Sequence, residues 1–165
     1  MSARYLRHTI VAALCAAGVA AAPAAAPVGQ GRRVVDLVEP GDARSARDHE
    51  AAGEGITEGT AAGRAFRQAT GWLRYTLRTY DDTEVTVACL CRGTEGRRVT
   101  FELLVDGQAA GTHVLESPSA QPVLKEWRLP EPLTQGKTKI AVTLRGVGGP
   151  TPGVIELRTV QEHLE

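Results

Sequence analysis

Two tryptophans, Trp72 and Trp127, are the side chains of this chain best suited to grip a ligand. Trp72 opens the run Trp72-Leu73-Arg74-Tyr75-Thr76-Leu77-Arg78. Strand alternation puts it on one face with Arg74, Thr76 and Arg78, and puts Leu73, Tyr75 and Leu77 on the other. An indole flanked by guanidinium groups suits a sugar, because the ring stacks on apolar C–H faces while the donors bind hydroxyls. The alternative is that Trp72 caps the core beneath a neighbouring loop. Trp127 shares a face with Val123 and Leu129, which points toward burial. As the second tryptophan it still joins Trp72, Arg74 and Arg78 as a candidate ligand contact. Aromatic residues make up 4% of the chain, which argues against a flat multi-ring platform and leaves a single sugar unit or chain end.

Other reactive types are present without a constellation. Asp48-His49-Glu50 holds two carboxylates and an imidazole, but adjacent residues do not converge on one substrate atom. Asp48 and His49 are expected to make structural hydrogen bonds that tie their segment down. Asp81-Asp82 offers hard oxygen ligands for a structural calcium, beside the plainer reading of a solvated turn. No other cofactor is expected. Cys89 and Cys91 stand two apart on one strand and face the same way, where a mutual disulfide would strain the backbone. They read as small buried apolar residues. His49, His113 and His163 have no metal-ligand spacing. No Gly-x-Ser-x-Gly, His-Glu-x-x-His or phosphate loop occurs, and no carboxylate pair is marked out for glycoside hydrolysis. The expectation is a protein that is not an enzyme.

The elements that must position these residues are short strands. A first strand is expected at Val34–Val38, stopped by Pro40-Gly41. Residues 41–70 lack strand and helix periodicity and are expected to form a long loop, pinned where Ile56 and Phe66 dock. Strands then follow at 72–78, 84–91, 99–105, 109–115, 123–129, 140–146 and 154–157. Asp106-Gly107 is expected to make a two-residue hairpin, since both central residues need positive φ. Leu133 to Gly136 reads as one helical turn closed by glycine. The expected class is all-β: an antiparallel β-sandwich or jelly roll, galactose-binding-like or immunoglobulin-like, of about seven or eight strands. One domain spans residues 34–160, after a linker at 27–33 and before a polar tail at 161–165.

Arg4, Arg7 and His8 precede an uncharged, alanine-rich run and the small residues Ala22-Pro23-Ala24, the layout of a cleaved signal peptide over residues 1–26. Its loss would leave about 140 residues, enough for one domain with a single core. Without Arg4 and Arg7, 17 basic residues face 19 acidic ones, a net charge of −2. That balance is no footprint for nucleic acid or an anionic membrane, and no membrane span is expected after cleavage. The address is extracytoplasmic.

Four stretches carry a resemblance. They are Gly71-Trp72-x-x-Tyr75-x-Leu77, Thr100 to Gly107, Pro130-x-x-Leu133-Thr134-x-Gly136-Lys137-x-Lys139, and Gly153-Val154-x-x-x-Arg158. Their order and spacing, with Pro40-Gly41-Asp42, Ser45, Asp48-His49 and Gly53-Glu54 upstream, resemble the uncharacterised β-sandwich domain found C-terminal in glycoside hydrolase family 127 proteins, the β-L-arabinofuranosidase type. The similarity spans about residues 35–158. Cys91-Arg92-Gly93 departs from the aromatic-glycine pair usual there. The catalytic barrel of those enzymes is absent, so no catalytic residue carries over. The resemblance implies a secreted accessory domain standing alone, with weak carbohydrate recognition as its role and a glycan or cell-envelope component as its partner. A structural or protein-docking domain, with a protein partner, is the alternative.

Overall fold

The computed structural model describes residues 31–80 and 84–162. The expected leader at 1–26, the Asp81-Asp82 pair and His163 lie outside the described residues.

The chain forms β1 (Arg32–Val38), α1 (Ala43–Asp48), β2 (Ala52–Gly53), β3 (Ile56–Ala61), β4 (Arg64–Ala69), β5 (Trp72–Arg78), β6 (Val85–Cys91), β7 (Arg98–Val105), β8 (Gln108–Glu116), β9 (Val123–Arg128), α2 (Glu131–Thr134), β10 (Lys139–Gly146) and β11 (Val154–Glu162). A first sheet runs β3-β4-β11-β6-β9, with β1 also paired to β11; a second runs β2-β5-β10-β7-β8. Every pairing is antiparallel. This is the expected all-β sandwich.

Alternation builds the core. Leu73, Tyr75 and Leu77 of β5, Ile140, Val142 and Leu144 of β10, and Phe101, Leu103 and Val105 of β7 face inward from the second sheet. Val85, Val87, Cys89 and Cys91 of β6 meet them from the first. β6 and β10 each lie between two partners, so their apolar residues are covered on both edges. The Asp106-Gly107 turn joins β7 to β8 with φ of 49° and 81°, the positive values a type I′ hairpin needs. Gly136, at φ 72°, lies just beyond α2 and lets the chain leave the helical turn.

Residues 41–70 correct the expectation of a long loop. They hold α1, β2 and the β3–β4 hairpin, which brings the strand number among the described residues to eleven. α1 is capped by Asp42, whose carboxylate accepts from the Ser45 amide at 2.6 Å. The β3–β4 turn is Ala62-Gly63, with φ of 49° and 75°. Gly59 pairs with Phe66 across the hairpin, and the Phe66 ring lies over the glycine, 2.6 Å from where a Cβ would stand. Phe66 docks outside the first sheet with Ala61, Leu90 and Ile155. Ile56 does not dock; it is 41% exposed.

The domain edges also move. Arg32 and Arg33, expected in a linker, already pair with Glu162 and Gln161. Gln161, expected in a solvated tail, is buried: its side chain accepts from the Tyr80 amide at 2.6 Å and donates to the Tyr80 carbonyl at 3.0 Å.

Candidate functional site

β5 presents Trp72, Arg74, Thr76 and Arg78 outward, while Leu73, Tyr75 and Leu77 are buried. The row is about 20 Å long at strand rise. Pairing with β10 sets Arg145 opposite Trp72, Thr143 opposite Arg74, Ala141 opposite Thr76 and Lys139 opposite Arg78. The next strand, β7, sets Glu102 opposite Arg145, and the two form a charged pair with Nε 2.7 Å from Oε2.

Trp72 is half-buried and outside the core cluster. The Arg74 guanidinium lies 5.7 Å from its ring centre, a cation–π contact that steadies the indole on the sheet surface. The Trp72 carbonyl accepts from the Glu54 amide at 3.0 Å, so the β2–β3 connection runs along its edge rather than over the face. At the same end of the sheet, the Val147 amide bonds to the Thr100 carbonyl, and Val114 is the register partner of Thr100. Val147 and Val114 are 45% and 43% exposed, an apolar spot at this end of the sheet beyond the Arg145–Glu102 pair.

The other end of the row opens into a cavity of about 540 Å³, lined by Asp36, Asp48, His49, Glu50, Arg78 and Lys139 among others. Asp36 anchors it. Its carboxylate accepts from the Arg78 amide at 2.8 Å and the Leu37 amide at 3.1 Å. The His49 ring bridges outward, with Nδ1 2.7 Å from the Ser45 carbonyl and Nε2 3.3 Å from Asp36 Oδ1. Burial pushes the Asp36 carboxyl up, but the Arg78 amide and His49 together outweigh it and hold it below the ordinary carboxylate value. His49 thus ties the C-terminal end of α1 to β1 and β5. Asp48 takes no part in this; it faces solvent with Arg44 at 3.8 Å.

Trp127 lies elsewhere. It packs between the sheets from β9, edge-on to the fully buried Phe101 at 5.4 Å and beside His113 at 5.3 Å. It does not join the outward row on the second sheet. Burial lowers the His113 pKa. Cys89 and Cys91 are free and buried, with their thiols 3.2 Å apart. The hydrogen bond with Cys91, together with burial, pushes the Cys89 thiol well up and disfavours its thiolate. Among the described residues, no group of three or more His, Cys, Asp or Glu converges as a metal site, and no helix is long and apolar enough to cross a membrane.

Sequence alone located Trp72, Arg74 and Arg78 on one face. It missed Asp36, Lys139 and Arg145. Asp36 left one trace, a lone acid inside the apolar run Val34-Val35-Asp36-Leu37-Val38. Lys139 and Arg145 left none, because only the β5–β10 register brings them to the row.

Residues 31–160 match the family described as "Family of unknown function (DUF6805)". No curated protein matches the chain. Solved structures share the fold. A family 35 carbohydrate-binding module from Cellvibrio japonicus superposes with a TM-score of 0.54 at 12% identity, over 78% of this chain and 98% of that one. A family 35 module from Clostridium thermocellum gives 0.53 at 9% identity, over 78% and 96%. A family GH115 4-O-methyl-α-glucuronidase gives 0.56 at 13% identity, over 86% of this chain and 19% of that one.

Proposed function

This chain belongs to the DUF6805 family, and we propose that it is a non-catalytic carbohydrate-recognition domain whose ligand lies on the outer face of the second sheet. Trp72 stacks on a sugar ring, and Arg74 and Arg78 donate to its hydroxyls. The observation that carries this reading is the outward indole with a guanidinium over its ring, on the outer face of the second sheet. Indole and valine surface at one end suits C–H faces; the charged cavity at the other suits hydroxyls. The fold shared with carbohydrate-binding modules supports the reading at the level of architecture. In the same proposal the domain is exported and acts as an accessory to glycan breakdown or at the cell envelope, like the domain appended to family 127 glycoside hydrolases.

A glycan array followed by calorimetry tests this. Trp72→Ala is expected to weaken binding roughly tenfold or more, the scale of a lost aromatic anchor, with the circular dichroism spectrum unchanged. Binding that survives Trp72→Ala intact would overturn the assignment of the face. Protein docking is the second reading, favoured by the exposed Val114 and Val147 beside Thr100. It predicts silence on the array and a stable complex that Val114→Lys breaks.

A further inference from the structure

A separate cavity of about 200 Å³ lies at the end of the sandwich where β5 begins. It sits among the β6–β7 loop, the β10–β11 loop and the end of β8, and three arginines, Arg92, Arg97 and Arg98, are among its lining residues. Val99, Leu115, Pro150 and Pro152 supply apolar wall.

The charges do not cancel. Glu95 is the acid of this loop, and it accepts from Arg92 at 2.6 Å and from Arg97 at 3.4 Å. Arg98 makes no ion pair among the described residues, and neither does Glu116, its partner in register. Arg92 is held in place by the Phe66 ring, 5.6 Å from its guanidinium.

The loop that carries these arginines is clamped. The Thr94 amide donates to Ser117 Oγ at 2.8 Å, and the Ser117 amide donates to Thr94 Oγ1 at 2.8 Å. The Gly96 amide donates to the Ser117 carbonyl at 2.7 Å. Gly93 packs so closely that a Cβ would meet the carbonyl oxygens of Ser119 and Gln121. Arg92 and Arg97 are therefore carried at the ends of a clamped loop, with Arg98 beside them at the start of β7. Excess positive charge, planar donors and apolar wall together favour a compact oxyanion, because guanidinium binds planar or tetrahedral oxygens in pairs and poorly hydrated walls strengthen the attraction.

We propose that Arg92, Arg97 and Arg98 form an oxyanion-binding pocket, distinct from the Trp72 face, that takes a carboxylate or sulfate group. The cavity is smaller than the roughly 300–1,000 Å³ that encloses a drug-sized molecule, so it holds one anionic substituent or a small free anion. The pocket stands whether or not the Trp72 face binds sugar.

The test is a titration of the full chain, at low salt, with glucuronate, glucose 6-sulfate, glucose and sodium sulfate, read by amide NMR shifts. The expected result is movement of the Thr94–Arg98 amides with the anions and none with glucose. Arg98→Gln is expected to weaken the anion roughly tenfold, as loss of a charge-assisted pair should. Arg97→Gln gives a second reading of the same loss. If sulfate binds as tightly as the sugar acids, the occupant is a free oxyanion; if the sugar acids bind more tightly, it is an anionic substituent of a glycan. Both support the pocket. No shift at these amides with any anion, or binding indifferent to Arg98→Gln in a folded variant, overturns it. Neutral sugars read the Trp72 face separately, so the two proposals fail independently.

Discussion

At the residue scale, a buried side-chain group without a hydrogen-bond partner among the described residues lies in the core. Tyr75 is 1% exposed and its hydroxyl has no hydrogen-bond partner. Burial pushes its pKa well above the ordinary tyrosine value, so it stays neutral. Its ring fills the core, while its oxygen carries a desolvation cost that nothing returns. Tyr75→Phe is therefore expected to leave stability unchanged or raise it by about 1 kcal/mol, because removing an unpaired buried hydroxyl loses no bond. Urea denaturation measures this, and a clear loss of stability would mean that the hydroxyl has a partner in solution. Alternation alone placed Tyr75 inward and Trp72 outward. It could not show that the Tyr75 oxygen meets no acceptor, since that depends on which strands cross above it.

At the element scale, two buried carboxylates hold strands together. Asp36 joins β1, α1 and β5, as described. Glu156 of β11 accepts from Arg158, with Nε at 3.0 Å, and from Arg64 of β4. Burial pushes the Glu156 carboxyl up, but the hydrogen bonds from Arg158 and Arg64 outweigh it, and it lies below the ordinary value. Both groups are more acidic folded than unfolded. Their stabilisation is thus complete above the unfolded values of about 4 and is lost as pH falls toward the folded ones. The melting temperature is expected to decline modestly as pH falls through about 6.5, where buried His113 resists the proton that the unfolded chain takes up, and to drop further below about pH 4. Asp36→Asn should melt lower at neutral pH and lose less on acidification; an equally steep acid loss in that variant would remove Asp36 from the account. The hairpin β3–β4 shows why elements hid from sequence. Its turn is Ala62-Gly63 rather than Asn-Gly or Asp-Gly, and its strands alternate with Gly59 and small residues whose apolar signal is weak. Gly59 works in a strand because Phe66 covers it across the pair.

At the scale of the molecule, both sheets share the main core, and the first sheet carries a smaller outer cluster around Phe66. Trp72 reports on the second sheet and Trp127 on the interface between the two. Single-tryptophan variants, Trp127→Phe and Trp72→Phe, are expected to show one coincident fluorescence transition in denaturant. Separate midpoints within one variant, measured by fluorescence and far-ultraviolet circular dichroism, would show that the sheets unfold in steps. Refolding is expected on the slow side, in about milliseconds to seconds, because pairings such as β1 with β11 join the two ends of the described chain.

The all-β class, the inward and outward sets of β5, β6, β7 and β10, and the Asp106-Gly107 hairpin were legible in the sequence, because period-two alternation and positive-φ turn chemistry act over a few residues. So was the outward row of Trp72, Arg74 and Arg78. Burial of Trp127 was the favoured reading of its strand face; tertiary structure alone decided that it packs on Phe101 and His113, and that Lys139 and Arg145 join the row. It also brought Arg92, Arg97 and Arg98 against Pro150 and Pro152. These are contacts between strands and loops distant along the chain, set by register and sheet order, and no local pattern encodes them.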